Sequence, residues 1–207
     1  MTFDMTSCGT LIEVFEQCGI DLGRVYVAGG TALHAYLCKI GKTPEWTPGD
    51  VDLFIEPGSL PLGEEVEKVR DVLARSFECT MMSKARILAN TPGVNVDFIF
   101  SRHDGRTISE WVGSFDISVC KVYFPLSTWK NPDYMFADTA QSDIDDGIMR
   151  VALALPGVDE SGSSGLYASL SFAEKKLERV IKYRKRGFRA IVDPAYLDAV
   201  HIDQYND

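Results

Sequence analysis

The sequence predicts a mixed α/β (α+β) fold, a mixed sheet flanked by helices and followed by a C-terminal helical segment, on three observations. Apolar residues recur at helical spacing around 11–18, 33–40 and 66–77. Short apolar runs bounded by Gly and Pro lie between them and then follow one another directly, from 78 to 100 and again from 115 to 124. Last, Ser171 to Arg186 reads as one long helix with a basic face. Helices alternating with strands, then strands in succession, require a sheet with both parallel and antiparallel neighbours.

Taken in order, Leu11, Val14, Phe15 and Cys18 stand at i, i+3, i+4 and i+7, one buried helical face, with Gly19 and Gly23 at its exit. Arg24 to Ala28 is a short buried strand halted by Gly29 and Gly30, after which Leu33, Leu37 and Ile40 restore a helical period up to Gly41. Asp50 to Glu56 alternates polar and apolar and ends at Pro57 and Gly58. Val66, Val69, Leu73 and Phe77 mark the next helix, with Glu64, Glu65 and Glu67 near its N-terminus where the helix dipole favours negative charge.

Strands are expected at 78–82, 85–89 and 94–100, the last two joined by the turn Asn90, Thr91, Pro92, Gly93. After a short helix near Ile108, Phe115 to Phe124 is expected as one strand. Trp129 to Gly147 reads as irregular and acidic, and Asp159 to Gly165 as a polar loop. Ser171 with Glu174 has the spacing of a capping box for the last helix, and Gly187 stops it. The expected organisation is a core over 1–128 and, over 129–207, an acidic loop plus the basic helix packed on that core as one structural unit.

The 207 residues, 45% hydrophobic and 25% charged, are those of an ordinary globular protein. No apolar run reaches the length of a membrane span, and Met1 to Ser7 lacks the features of a signal peptide, so no membrane partner is expected. Five cysteines without a CxxC pair fit neither a disulfide framework nor a structural zinc site, and point to a reducing, cytoplasmic setting. A net charge of -9 opposes general affinity for nucleic acid, yet Lys175 to Arg189 holds eight basic residues against Glu178 alone. One local patch therefore suits a polyanion.

The chemistry is carried by Gly29, Gly30 and Thr31 after one strand and by Asp50 and Asp52 on the next. Acids at i and i+2 of a strand share a face with Cα atoms roughly 6 to 7 Å apart, close enough for their oxygens to converge on divalent cations. Mg2+ (or Mn2+) suits such oxygens, because it completes its shell with water and substrate phosphates. A glycine turn opening a helix brings backbone N–H groups to phosphate, and the Thr31 hydroxyl is a further candidate donor. A nucleoside triphosphate (NTP) between turn and acids would be attacked in line at its α-phosphate. Asp97 and Asp116 are both candidates for a third carboxylate, and sequence order does not choose between them. Either motif alone would read better as a turn and a solvated strand face; their combination in this order favours the catalytic reading.

The stretches VAGGTALHAYL and GDVDLFI resemble the signature of the nucleotidyltransferase superfamily that shares the DNA polymerase beta fold. SFDISVCKV at 114–122 and RVIKYRKRGF at 179–188 are similar to the later blocks of an uncharacterised viral, phage and fungal branch of it, so the resemblance runs from about residue 24 to 190. It implies a polymerase beta-like core, with Gly29 and Gly30 cradling the triphosphate and Asp50 and Asp52 binding metal. The general superfamily pattern points to Asp97 as third acid, the narrower branch to Asp116, which is taken first. A basic residue on a helix after the sheet often contacts the triphosphate in related enzymes, and Lys175, Lys182, Tyr183 and Arg186 are available. The resemblance leaves the acceptor open among an RNA end, a protein, a small molecule and another nucleotide, and suggests action in a host cytoplasm. The alternatives are a nucleotide- or protein-binding module on the same fold without transfer activity, and a merely local resemblance with the basic helix as principal site. A purely structural reading of that helix turns Phe172, Leu177, Val180 and Ile181 to the core.

Other signals are set aside. Gly41, Lys42 and Thr43 lack the earlier glycine of a P-loop and end a helix. His34, His103 and His201 have no metal-ligand spacing, although His34 is a candidate for lining the nucleotide site, and no GxSxG elbow is present. Asp143, Asp145 and Asp146 are expected in a solvated loop, and Cys120, on the same strand face as Asp116, is expected to be packing.

Overall fold

The computed structural model of the chain describes residues 5–101, 106–151 and 164–192. They divide into two compact units, Met1–Gly113 with Cys120–Ala137, and Ser114–Val119 with Asp138–Asp207.

The first unit contains α1 (Met5–Gln17), β1 (Val25–Ala28), α2 (Gly29–Lys39), β2 (Asp50–Ile55), α3 (Leu62–Leu73), β3 (Glu78–Ser83), β4 (Arg86–Thr91), β5 (Val94–Phe100), α4 (Ile108–Gly113), β6 (Val122–Pro125) and β7 (Met135–Phe136). Among the described residues its strands form a seven-stranded sheet in the order β3-β4-β5-β2-β1-β6-β7. β2 and β5 run parallel at its centre and every other neighbouring pair is antiparallel, the mixed sheet expected.

Because successive side chains alternate between faces, the pairing decides what each face holds. Val51, Leu53, Ile55, Val96, Phe98 and Phe100 share one face and are completely buried. Phe15 of α1 meets Phe98 there with ring centroids 5.7 Å apart, and α1 packs on α3. Each of these large side chains contributes about 1.5–3 kcal/mol on burial, so this face stabilises the unit. The opposite face carries Asp50, Asp52, Asn95 and Asp97. A partly buried ion pair from Arg24 to Glu65, 2.8 Å long, ties the entry of β1 to the first turn of α3.

The second unit contains α5 (Ala140–Asp146), β8 (Ile148–Val151), α6 (Ser164–Lys185) and β9 (Arg189–Val192). β8 and β9 are parallel and α6 lies between them in the chain, a βαβ arrangement. Gly187 takes φ +95° after α6, the left-handed stop expected there.

Four expectations are corrected. Phe115 to Phe124 is not one strand: Ser118–Cys120 is a 3-10 turn and only Val122–Pro125 joins the sheet. The segment turns because Ile117 pairs with Val151 and the Ser118 hydroxyl accepts the Arg150 N–H at 2.9 Å, so Asp116 and Cys120 do not share a strand face. Trp129 to Gly147 contains β7 and α5 and is not wholly irregular, and Asp143 is buried, accepting from Thr139 Oγ1 at 3.0 Å and Arg150 Nε at 3.2 Å. α6 starts at Ser164, which places Ser171 inside the helix and not at its cap; 159–163 of the expected loop lie outside the described residues, as do His103 and His201. Finally, Leu177 and Ile181 of α6 are exposed, whereas Lys176 and Tyr183 are buried. The helix thus turns a partly charged face inward.

Candidate active site

The site is built where β1 ends and α2 begins. Ala28 is extended and its side chain offers no acceptor, so no side-chain cap takes up the first-turn N–H groups at the positive end of the helix dipole. Gly29 has φ +70°, a conformation that a side chain strains. It also leaves space that a side chain would fill: a Cβ at Gly29 would stand 3.2 Å from Oδ2 of Asp52. Gly30, next along, is half-buried.

Asp50 and Asp52 occupy the start of β2, the first exposed and the second half-buried. Asp52 lies opposite Ala28 of β1, which is why its carboxylate meets the glycine turn. The Thr31 hydroxyl donates to the Asp50 carbonyl at 2.7 Å, tying the first turn of α2 to β2. A hydroxyl has a single proton, so in this arrangement Thr31 serves the turn and not an incoming phosphate. His34 is buried against the Trp46 ring, centroids 5.0 Å apart, with the Cys38 sulfur 3.9 Å from its Nδ1.

Asp97 is the register partner of Asp52 on the parallel neighbour β5, so the two carboxylates project from the same face of adjacent strands. Asp97 is buried and held by Arg86 of β4: Nε lies 2.9 Å from both carboxylate oxygens, and Nη2 donates to Oδ2. Arg86 was not singled out in the sequence. Its signal is a count from the turn, because Thr91 opposite Val94 places Leu88 opposite Asp97 and Arg86 diagonal to it.

Asp116 belongs to the second unit. Its carboxylate faces Arg179 of α6 at 2.6 Å and lies close enough to Lys176 to act on its charge. Burial lowers the Lys176 pKa from 10.5, Asp116 opposes that change and Arg179 adds to it. Along the same helix Lys175 and Lys182 are exposed, Tyr183 is buried, and the Arg186 guanidinium lies over the Tyr183 ring, 4.8 Å from its centroid. The structure therefore groups Gly29, Gly30, Thr31, Asp50, Asp52 and Asp97 in one unit, and Asp116, Lys175, Lys182, Tyr183 and Arg186 in the other.

Chemically, Asp50 and Asp52 suit a hard divalent cation, which is commonly bound through one or two carboxylates with substrate phosphates completing the shell. The space that Gly29 leaves beside Asp52 admits backbone close to such a group. Among the described residues no three His, Cys, Asp or Glu side chains form a ready-made cage, and Asp97, the nearest in register, is paired with Arg86.

No protein-family model matches the chain, and no curated protein matches it. Solved structures do. A tRNA-processing enzyme matches with a TM-score of 0.58 at 12% identity over 94% of this chain and 45% of its own. The Thermotoga maritima CCA-adding enzyme, complexed with tRNA, gives 0.56 at 19% over 92% and 42%. The Bacillus stearothermophilus CCA-adding enzyme, in complex with CTP, gives 0.54 at 17% over 93% and 41%. The chain spans less than half the length of these proteins. At such identities the likeness is one of fold, and the fold is the polymerase beta-like mixed α/β fold.

Proposed function

We propose that the chain is a metal-dependent nucleotidyltransferase that transfers a nucleoside monophosphate from an NTP to a hydroxyl acceptor and releases pyrophosphate. One observation carries this reading: the Asp50, Asp52 pair set against a positive-φ glycine at the opening of α2, within a fold shared with CCA-adding enzymes.

In this reading the first turn of α2, which has no side-chain cap, receives the triphosphate with Gly29 and Gly30 through backbone N–H groups. Asp50 and Asp52 hold Mg2+ or Mn2+, and Asp97, beside Asp52, is the third acid. The bound metal would supply charge neutralisation at the phosphates and activation of the acceptor hydroxyl. The acceptor oxygen bonds to the α-phosphorus as the bond to the bridging oxygen breaks; pyrophosphate leaves and the hydroxyl proton passes to a carboxylate or to water. Asp116 we assign to holding α6, through Arg179 and Lys176. The exposed Lys175 and Lys182 supply positive potential for a phosphate-bearing partner, while Tyr183 supports Arg186.

An RNA hydroxyl is the acceptor class that the solved neighbours favour, since one of them is complexed with tRNA. On the resemblance of its blocks at 114–122 and 179–188, we assign the chain to the viral, phage and fungal branch, acting in a host cytoplasm. A second reading, a nucleotide-binding module without transfer, draws on the pairing of Asp97 with Arg86.

The experiment is pyrophosphate release from each of the four NTPs with Mg2+ or Mn2+, with and without RNA, for wild type and the Asp50→Ala, Asp52→Ala double variant. Release that disappears in the variant is expected. NTP binding without release from wild type under every condition would favour the silent module, and absence of NTP binding would remove the nucleotide reading altogether.

A further inference from the structure

Three acids, Asp50, Asp52 and Asp97, stand on one face of two adjacent strands. Neighbouring carboxylates repel one another unless a counter-charge stands between or beside them. Asp97 is the buried one of the three, and the Arg86 guanidinium holds it. Arg86 spans both of its oxygens from β4, the strand on the side of β5 away from β2. The side chain of Arg86 is itself half-exposed, 50% against 6% for Asp97, so it can leave toward solvent without leaving its own charge buried.

We propose that Arg86 is a positioning residue that occupies Asp97 until a divalent cation takes that carboxylate, so that guanidinium and cation are alternative partners of one side chain. The inference rests on the nucleotidyl-transfer reading and deepens it. It explains why the acids lack a ready three-carboxylate cage although their backbone register is that of one. A bidentate guanidinium fixes carboxylate position as well as charge, so Asp97 is kept in its rotamer while it waits.

The test reads metal binding and not turnover. Free Mn2+ is followed by electron paramagnetic resonance in the absence of NTP for wild type, Arg86→Gln, the Arg86→Gln, Asp97→Asn double variant, and Asp50→Asn, Asp52→Asn. Arg86→Gln should bind Mn2+ about tenfold tighter or more, since a unit positive charge a few ångströms away is removed and a carboxylate released. The Arg86→Gln, Asp97→Asn variant should return to within about twofold of wild type, as both opposite charges are gone. Equal affinity of wild type and Arg86→Gln, with binding still lost in Asp50→Asn, Asp52→Asn, overturns this inference and leaves the transfer reading standing. Mn2+ binding indifferent to Asp50 and Asp52 overturns both. Should Arg86→Gln unfold, the wild-type protein still decides: the Arg86 Nε–Hε resonance, assigned by its loss in Arg86→Lys, should move when Mg2+ and a non-hydrolysable NTP are added, and an unmoved resonance overturns the inference.

Discussion

Gly29 and Asp52 meet where β1 passes into α2, with the Asp52 Oδ2 atom 3.2 Å from the position a Gly29 Cβ would take. Two costs therefore fall on any side chain at 29. The backbone is at φ +70°, where a non-glycine residue costs roughly 1–2 kcal/mol, and the new methyl presses on a carboxylate assigned to metal. Gly29→Ala should remain folded, with a thermal midpoint lowered by a few degrees, yet lose pyrophosphate release by at least about tenfold. Gly30 is not among the positive-φ glycines, so Gly30→Ala should show the smaller change in midpoint. Equal midpoints and activities for the two variants would remove the argument from conformation and contact.

Thr31 is the strap of the same turn. Its hydroxyl is buried and donates to the Asp50 carbonyl at 2.7 Å. Thr31→Val keeps the shape and deletes the donor, so urea unfolding should show a loss of about 1 kcal/mol. If the bond also places Asp50, kcat should fall while the KM for NTP changes little, because the hydroxyl is already committed to backbone. A rise in KM with kcat intact would show instead that Thr31 meets the phosphates directly.

The central strands and the paired acids were legible because they follow from local rules: period-2 alternation puts Asp50 and Asp52 on one face, and two glycines after a buried run announce a turn. Arg86 was hidden because its role depends on pairing across two strands, although a count outward from Pro92 and Gly93, where φ reaches +92° at Gly93, would have found it. The strand expected from Phe115 to Phe124 failed for the opposite reason. Ile117 and Val119, either side of Ser118, look like strand residues, but both are buried and Val119 lies within a 3-10 turn whose Ser118 hydroxyl is held by the Arg150 N–H, far away in sequence. From sequence Asp143 is expected in solvent because an acid in an acidic stretch ordinarily is; its burial depends on Arg150 and Thr139.

Tyr134 offers a check on packing in the first unit. Its ring contacts Tyr36 and Phe124, with centroids 5.3 Å away in each case, and burial, with a smaller contribution from Cys38, pushes its pKa from 10.0 to about 12. A phenol held neutral in the native state binds more protons there than in the unfolded chain between these values. Its stabilising share is therefore complete below pH 10 and disappears as pH rises toward 12. Tyr134→Phe should lose less stability than wild type between pH 9 and about 11.5 in urea titrations; parallel losses would show that the phenol ionises as it does when unfolded.

Lys176 tests the assignment of Asp116. Because burial lowers the Lys176 pKa from 10.5, the unfolded chain binds more protons between the lowered value and 10.5, and stability should climb with pH through that window. Asp116 opposes the lowering, so Asp116→Asn should destabilise the protein near pH 7 and recover more than wild type does as pH approaches 10. In the Asp116→Asn, Lys176→Met double variant the additional recovery should vanish. Were Asp116→Asn to leave the pH profile of stability unchanged and instead weaken Mn2+ binding, Asp116 would be a metal ligand, the role its sequence block suggested.

Lys175 and Lys182 are seven residues apart on α6, hence on similar sides of the helix, and both are exposed. Each phosphate that a lysine neutralises releases condensed counterions, and the logarithm of affinity falls by roughly 0.7 per contact for each logarithm of salt on single strands. If this helix meets an RNA acceptor, the Lys175→Ala, Lys182→Ala variant should bind a single-stranded RNA more weakly at low salt. Its salt slope should be shallower by about 1 to 1.5, the contribution of two contacts. Exposed positions of this kind ordinarily change stability by no more than about 0.5 kcal/mol, so a loss of binding would not be a loss of fold. An unchanged slope would put the acceptor elsewhere, on a chain whose net charge of -9 leaves few other surfaces suited to phosphate.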